Sequence, residues 1–121
     1  MNQSEDLPEL RAKKEQILSK IINLSDFRPG SLAERYRRCG KSYCHCAKPG
    51  DKGHGPSYSL TRSVKGKTIT KIIPKDAAGT TRRQIEEYHR FREAVTELVD
   101  TNEKICDAKL EASKNASTEA K

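Results

Sequence analysis

Three of the chain's four cysteines and two of its three histidines crowd into residues 39–54, CGKSYCHCAKPGDKGH. Thiolate and imidazole are the ligands zinc prefers, four at tetrahedral corners, with Zn–S about 2.3 Å and Zn–N about 2.0 Å. Such corners are reached by residues close in sequence and separated by tight turns. Gly40 and Lys41 allow the first turn, and Pro49-Gly50 with Gly53 let the chain return to present His54. Cys39, Cys44, Cys46 and His54 are therefore a candidate Cys3His site for Zn2+. The spacing C-x4-C-x-C-x7-H departs from the paired C-x-x-C of zinc ribbons, so the clustering carries the assignment. His45 competes with His54. It lies between two proposed ligands, and its side chain is expected to project away from a site that uses both, so His54 is preferred.

Other chemistries fit these residues less well. A redox pair of Cys44 and Cys46 is favoured by basic surroundings, which lower thiol pKa values, but no βαβ unit frames it. A catalytic zinc needs an open coordination position and a base. Glu34 and Asp51 are the acids of residues 28–75. Four protein ligands close the shell, as in a structural site. Iron also occupies thiolate sites, so zinc versus iron stays open. Cys106 stands apart and reads as a packing residue. The sequence holds no clustered acidic triad, no Gly-rich phosphate loop and no nucleophile–base pair, which predicts a protein that is not an enzyme.

The elements that must position the cluster follow from periodicity. Asp6 with Glu9 three residues on forms a capping box for a helix over 7–24, with Pro8 in the first turn. Leu7, Leu10, Ile17, Ile21 and Leu24 make a narrow apolar seam that Lys14 interrupts. Residues 31–38 read as a short extended lead-in, and 39–56 as loop. Strands are predicted over 57–64 and 67–73, with Lys65-Gly66 as the turn and Pro74 ending the ladder. Residues 76–81 read as a linker, with Thr80 or Thr81 capping a helix over 81–111. Its seam is Tyr88, Phe91, Val95, Leu98, Asn102 and Ile105. Asn102 is a register device if it meets Lys14 or its own copy, and otherwise an Asn near a helix end. The fold class is α+β: a zinc-stabilised β-hairpin module flanked by two helices in an antiparallel coiled-coil-like arm. Its segments are an N-terminal helix (1–27), the metal-binding module (28–75), a long helix (76–112) and a disordered tail (113–121).

Charge is concentrated where the cysteines are. The chain of 121 residues carries a formal +7. Residues 28–75 alone hold 12 basic and 2 acidic side chains, a net +10. A block that basic suits a polyanion, because neutralising phosphates releases counterions. The candidate contacts are Arg35, Arg37 and Arg38 on the lead-in, Lys41 on the metal loop, and Arg62, Lys65, Lys67 and Lys71 on the hairpin. A two-stranded ribbon fits the major groove, and DNA is favoured over RNA. Tyr36, Tyr43 and Tyr58 either pack around the metal core or stack on unpaired bases. The helical arm is a surface for homodimerisation or for a larger enzyme. The competing reading is an interaction adaptor whose basic face meets an acidic protein. Hydrophobic residues are 33% of the chain and Trp is absent, which argues against a deep active-site pocket. No apolar run reaches the ~20 residues of a membrane span. The polar start, MNQSEDLPEL, lacks a signal pattern, so the expected location is the cytoplasm with reduced thiols.

The run G-S-L at 30–32, R-Y at 35–36, C-G-K-x-x-C-x-C, H-G-P at 54–56, an aromatic strand, a G-K hairpin and a basic strand ending at Pro74 resembles a family of small uncharacterised prokaryotic proteins. The resemblance covers residues 30–100. Members of that family are often encoded beside transposases, so it implies a metal-binding module linked to DNA mobility. Cys39, Cys44, Cys46 and His54 match the family's Cys and His positions, while His45 falls on a variable one. The hairpin also looks like the basic hairpins of integrase arm-binding domains.

Overall fold

The computed structural model describes residues 6–119, with side chains through residue 115. Residues 1–5 of the expected N-terminal segment and 120–121 of the expected tail lie outside the described residues. Two compact units divide the chain. One spans residues 26–88 and holds the sheet, the cysteine loop and the first turns of the second helix. The other pairs the first helix with the second helix from His89 onward.

Helix α1 spans Leu7–Ile22. The Asp6 N–H donates to Glu9 Oε1 at 3.3 Å, and the Asp6 carbonyl accepts from Leu10 N. The helix ends two residues before the expected Leu24, with Asn23 as its C-cap and the Leu24 N–H turning back to the Ile21 carbonyl. Both the Asn23 N–H and Nδ2 donate to the Ser19 oxygen, at 3.1 and 2.9 Å. Leu10 and Ile17 are buried, and Leu7, Lys14, Ile21 and Leu24 are half-buried along the same 3,4-spaced seam.

The sheet has three antiparallel strands in the order β1-β2-β3, where the sequence led us to expect a two-stranded hairpin. Strand β1, Ser31–Arg37, is the stretch expected only as a lead-in. Its side chains are mostly exposed and polar, so it carries no alternation signal, and backbone pairing with β2 holds it. Strand β2 runs His54–Val64, three residues longer at its start than expected, and β3 is Lys67–Ile73 as expected. Lys65 (φ 51°) and Gly66 (φ 82°) make the tight turn between them, the left-handed pair a two-residue hairpin requires.

Register sorts the sheet's faces. Leu32, Leu60 and Lys71 are cross-strand neighbours, as are Glu34, Tyr58 and Ile73. Leu60 is the buried centre of this face, and the Tyr58 hydroxyl donates to Glu34 at 3.1 Å. That hydrogen bond, ahead of burial, raises the phenol's pKa. The opposite face is lined mainly by hydroxyls: Ser31, Thr61 and Thr70 form one row, Ser63 and Thr68 the next, and Ser59 sits between Ala33 and Ile72, with Ser57 opposite Arg35.

Helix α2 spans Ala78–Glu119. A 3-10 turn, Lys75–Ala77, follows Pro74, so the expected linker is already helical. Thr81 does not cap the helix. It is buried, and its hydroxyl donates back to the Ala77 carbonyl at 2.8 Å. The helix also continues through most of the stretch expected as a disordered tail. No Gly or Pro follows Gly79, and the tail's Ala, Lys and Glu are good helix formers. Ala94, Thr101 and Ile105 are its most buried residues from His89 onward, with Phe91, Leu98 and Ala108 half-buried along the same stripe. This stripe holds a 3,4 spacing, but its deepest members include small residues that a search for bulky apolar ones passes over. Asn102 meets neither Lys14 nor another polar side chain in its hydrogen bond. Its Nδ2 donates to the Leu98 carbonyl of its own helix at 3.1 Å. Among the described residues, no helix is long and apolar enough to cross a membrane.

Leu60 is 3% exposed at the middle of the central strand. Leu60→Ala is expected to cost about 2–5 kcal/mol, as cavity-forming core truncations do, read as a lowered midpoint in chemical denaturation of the full chain.

Candidate metal centre

The site is built from the end of the β1–β2 pair. Arg37 is the last paired residue of β1 and lies opposite His54, the first of β2. Cys39, two residues past Arg37, is thereby brought to His54 by strand pairing. Between Arg35 and Arg37 the register slips: one β1 residue, Tyr36, faces two of β2, Gly55 and Pro56. A bulge suits Pro56, which has no N–H to give to a ladder. The backbones approach closely here. A Cβ on Gly53 would lie 2.7 Å from the Arg37 carbonyl oxygen, and one on Gly55 2.7 Å from that of Arg35. Both glycines have positive φ, 94° and 141°, so larger residues are strained as well as crowded.

Cys44 and Cys46 come from the loop between the strands. Successive tight turns coil it: Cys44 N–H to the Lys41 carbonyl, Ala47 N–H to Cys44, Lys48 N–H to His45 and Asp51 N–H to Lys48. A short 3-10 turn, His45–Ala47, places Cys46 inward, where it is fully buried. The result is a cluster in which one donor atom from each of Cys39, Cys44, Cys46 and His54 lies within 4.8 Å of the others. The Cys39 and Cys46 sulfurs are 3.6 Å apart, and Cys44 Sγ is 3.1 Å from His54 Nε2. A tetrahedral zinc shell requires sulfur–sulfur edges of about 3.8 Å and sulfur–nitrogen edges of about 3.6 Å. The four residues selected by spacing thus converge closely enough to hold a metal ion, and their donor chemistry suits zinc.

The thiols are unequally disposed to ionise. A backbone hydrogen bond at Lys41, then one from His54, hold the Cys39 thiol down to about 6 from 9.0. The Cys39 N–H donates to Cys46 Sγ at 3.4 Å and favours that thiolate. Burial and the neighbouring Cys44 and Cys39 sulfurs outweigh it and push the Cys46 thiol up. A divalent ion at the centre of the set removes that conflict between like charges.

His45 lies outside the donor set. Its Nδ1 is 3.1 Å from Asp51 Oδ2, and its ring meets the His54 ring edge-on at 4.9 Å between centroids. Asp51 organises the loop beside it. Its Oδ1 accepts from the Gly53 N–H at 2.7 Å, and this contact, followed by His45, holds its carboxyl below the usual range. An Asp two residues before a Gly in a loop is an Asx-turn signal, and it was available in P-G-D-K-G.

The candidate nucleic-acid residues do not form one surface. Arg62, Lys67 and Lys71 share the Leu60 face of the sheet, with Lys65 at the hairpin tip, whereas Arg35 falls on the hydroxyl face. Arg38 is engaged inside the loop: its guanidinium donates to the Asp51 carbonyl at 3.0 Å and to that of Lys48 at 3.5 Å. The Lys41 ammonium lies 5.9 Å from the centre of the Tyr43 ring. Arg37 is exposed at the end of β1, beside the cluster.

A three-stranded antiparallel sheet with a Cys3His cluster at one end, together with two helices, defines a small α+β protein carrying a candidate metal centre. The chain matches, over residues 5–83, the family described as a domain of unknown function (DUF6788), and it belongs to that family. The match takes in α1 and stops in the first turns of α2, short of the residue 100 expected from the motifs. No curated protein and no solved structure matches the chain.

Asp51→Asn keeps the side chain's size and removes its charge. Its Oδ1 can still accept from the Gly53 N–H while the contact with His45 loses its charge, so the variant is expected to lose a little stability, read as a small drop in the midpoint of chemical denaturation. Chelation of the metal-loaded protein is expected to release the protection of residues 39–56 in amide hydrogen exchange, while α1 and the second half of α2 stay protected.

Proposed function

We propose that this chain is a zinc-stabilised nucleic-acid-binding protein without catalytic activity of its own, and that DNA is its main target. The observation that carries the reading is the coincidence of the candidate metal cluster with the net +10 of residues 28–75. A segment so charged and so poor in apolar side chains gains its order from ligation, and the ordered segment presents fixed cations to phosphates.

The hairpin supports a phosphate-contacting role. Strand β1 pairs no further than Ser31 opposite Thr61. From Arg62 to Ile69 the sheet is therefore a two-stranded ribbon about 10 Å long. Arg62 and Lys67 share one face of it, Lys65 sits at its turn, and Lys71 follows on the same face. All four are exposed. Three are lysines, which act as point charges and suit phosphate contact more than base reading.

The 3,4-spaced seams on α1 and on the second half of α2 support an antiparallel coiled-coil-like arm. Such an arm is a surface for a second copy or for a larger DNA-handling enzyme. The family resemblance to proteins encoded beside transposases supports that second partner.

The test is a salt titration of duplex binding by the zinc-loaded full chain. Four phosphate contacts predict a log–log slope of about −3.6. The double variant Lys65→Gln/Lys67→Gln is expected to flatten it by about 2. Absence of binding at ~50 mM salt, or an affinity that ignores salt, overturns the reading. Capture of an acidic protein that survives nuclease, with no nucleic-acid binding, replaces it by the adaptor.

A further inference from the structure

The three tyrosines near the sheet and loop are not equivalent. Tyr58 is half-buried and its hydroxyl is committed to Glu34. Tyr36 is 39% exposed on the bulged end of β1, with the Lys52 ammonium 5.9 Å from its ring centre. Tyr43 is 83% exposed, the most open large hydrophobic side chain among the described residues. It immediately precedes Cys44, in a turn that the Cys44 N–H closes onto the Lys41 carbonyl. Packing around a metal core accounts for neither the position nor the exposure of Tyr43.

We propose that the metal loop is a stacking platform for an unpaired nucleic-acid base, with Tyr43 meeting the base and Lys41 the flanking phosphate. This rests on the reading of the chain as a nucleic-acid binder, and it adds which strand form the loop takes. A tyrosine on a tightly turned loop loses little on stacking, because the turn already fixes its backbone and only two χ angles are left to order. Base–aromatic stacking is sequence-tolerant, since every base has a π-face. In a duplex those faces are occupied by neighbouring bases, so the platform selects unpaired strands and loops. Lys41 at the Tyr43 ring supplies the charge that backbone tracking needs. Lys52 at the Tyr36 ring repeats the same aromatic–ammonium pair on the limb that returns to His54.

The chain contains no tryptophan, so Tyr43→Trp gives a single fluorescent reporter. The zinc-loaded full-length variant is titrated with a ~12-nucleotide oligothymidine, within the range of single-strand site sizes, and with a blunt duplex of similar length. The expected result is quenching by the single strand and none by the duplex. Tyr43→Ala is expected to weaken single-strand binding about tenfold or more, the worth of one stacked base, and to leave duplex binding unchanged. Tyr43→Phe keeps the ring and is expected to bind as the parent does, and the zinc content of each variant reports that its loop is formed. Tyr43→Ala binding the single strand as tightly as the parent, or emission unmoved at saturation, overturns the platform. Failure of every form to bind either nucleic acid overturns the nucleic-acid reading with it.

Discussion

Three sulfurs and an imidazole held within 4.8 Å of one another set the terms for the rest of residues 26–88. The strands deliver Cys39 and His54 to one end of the sheet by register, and the loop's short turns deliver Cys44 and Cys46. Cys39 leans toward thiolate while the buried Cys46 resists a second charge beside it. A cation at the centre of such a set would favour the thiolate form of all three sulfurs. The apolar side chains of this unit are too few to impose the geometry alone: Leu60 is buried, while Ile69 and Ile72 are exposed.

Around the cluster the polar groups divide their work. Asp51 ties His45 to the Gly53 backbone, and Arg38 bonds the carbonyls on either side of that turn. Arg38 therefore belongs to the scaffold, although its neighbours in the sequence count it among a basic run. Lys41, Lys52 and the hairpin cations remain on the outside. Net charge locates a basic segment, but hydrogen-bonding partners decide which of its members are available to a ligand.

Much of this was legible in the sequence where a residue type has one local use. The Asp6–Glu9 capping box, the Lys65-Gly66 turn, Pro74 at the end of β3 and the Cys3His spacing all signal through short-range geometry. What escaped depended on long-range or averaged effects. Strand β1 exists because β2 offers it a backbone edge, and S-L-A-E-R-Y-R has no alternation to announce that. His54 opens β2 at the end of a stretch whose Gly, Lys and Cys content resembles a loop, and Gly55-Pro56 form a bulge within the strand. The early start of α2 at Ala78 was hidden by Gly79, and its extension to Glu119 by polar residues that resemble a tail. Ala94 and Thr101 were missed in the seam because depth there goes to small side chains.

The hydroxyl rows on the second face of the sheet explain how so few residues can be organised at all. A sheet ordinarily requires cover on any face that water avoids. Serine and threonine on Ser31, Thr61, Thr70, Ser63 and Thr68 exchange hydrogen bonds freely with solvent, so this side needs no second layer of structure. The chain is thereby spared the extra helix or sheet that would enclose it. A ladder wetted on one flank, with its candidate ligands gathered at one end and a tight two-residue turn closing the other, is an economical way to present a short ribbon.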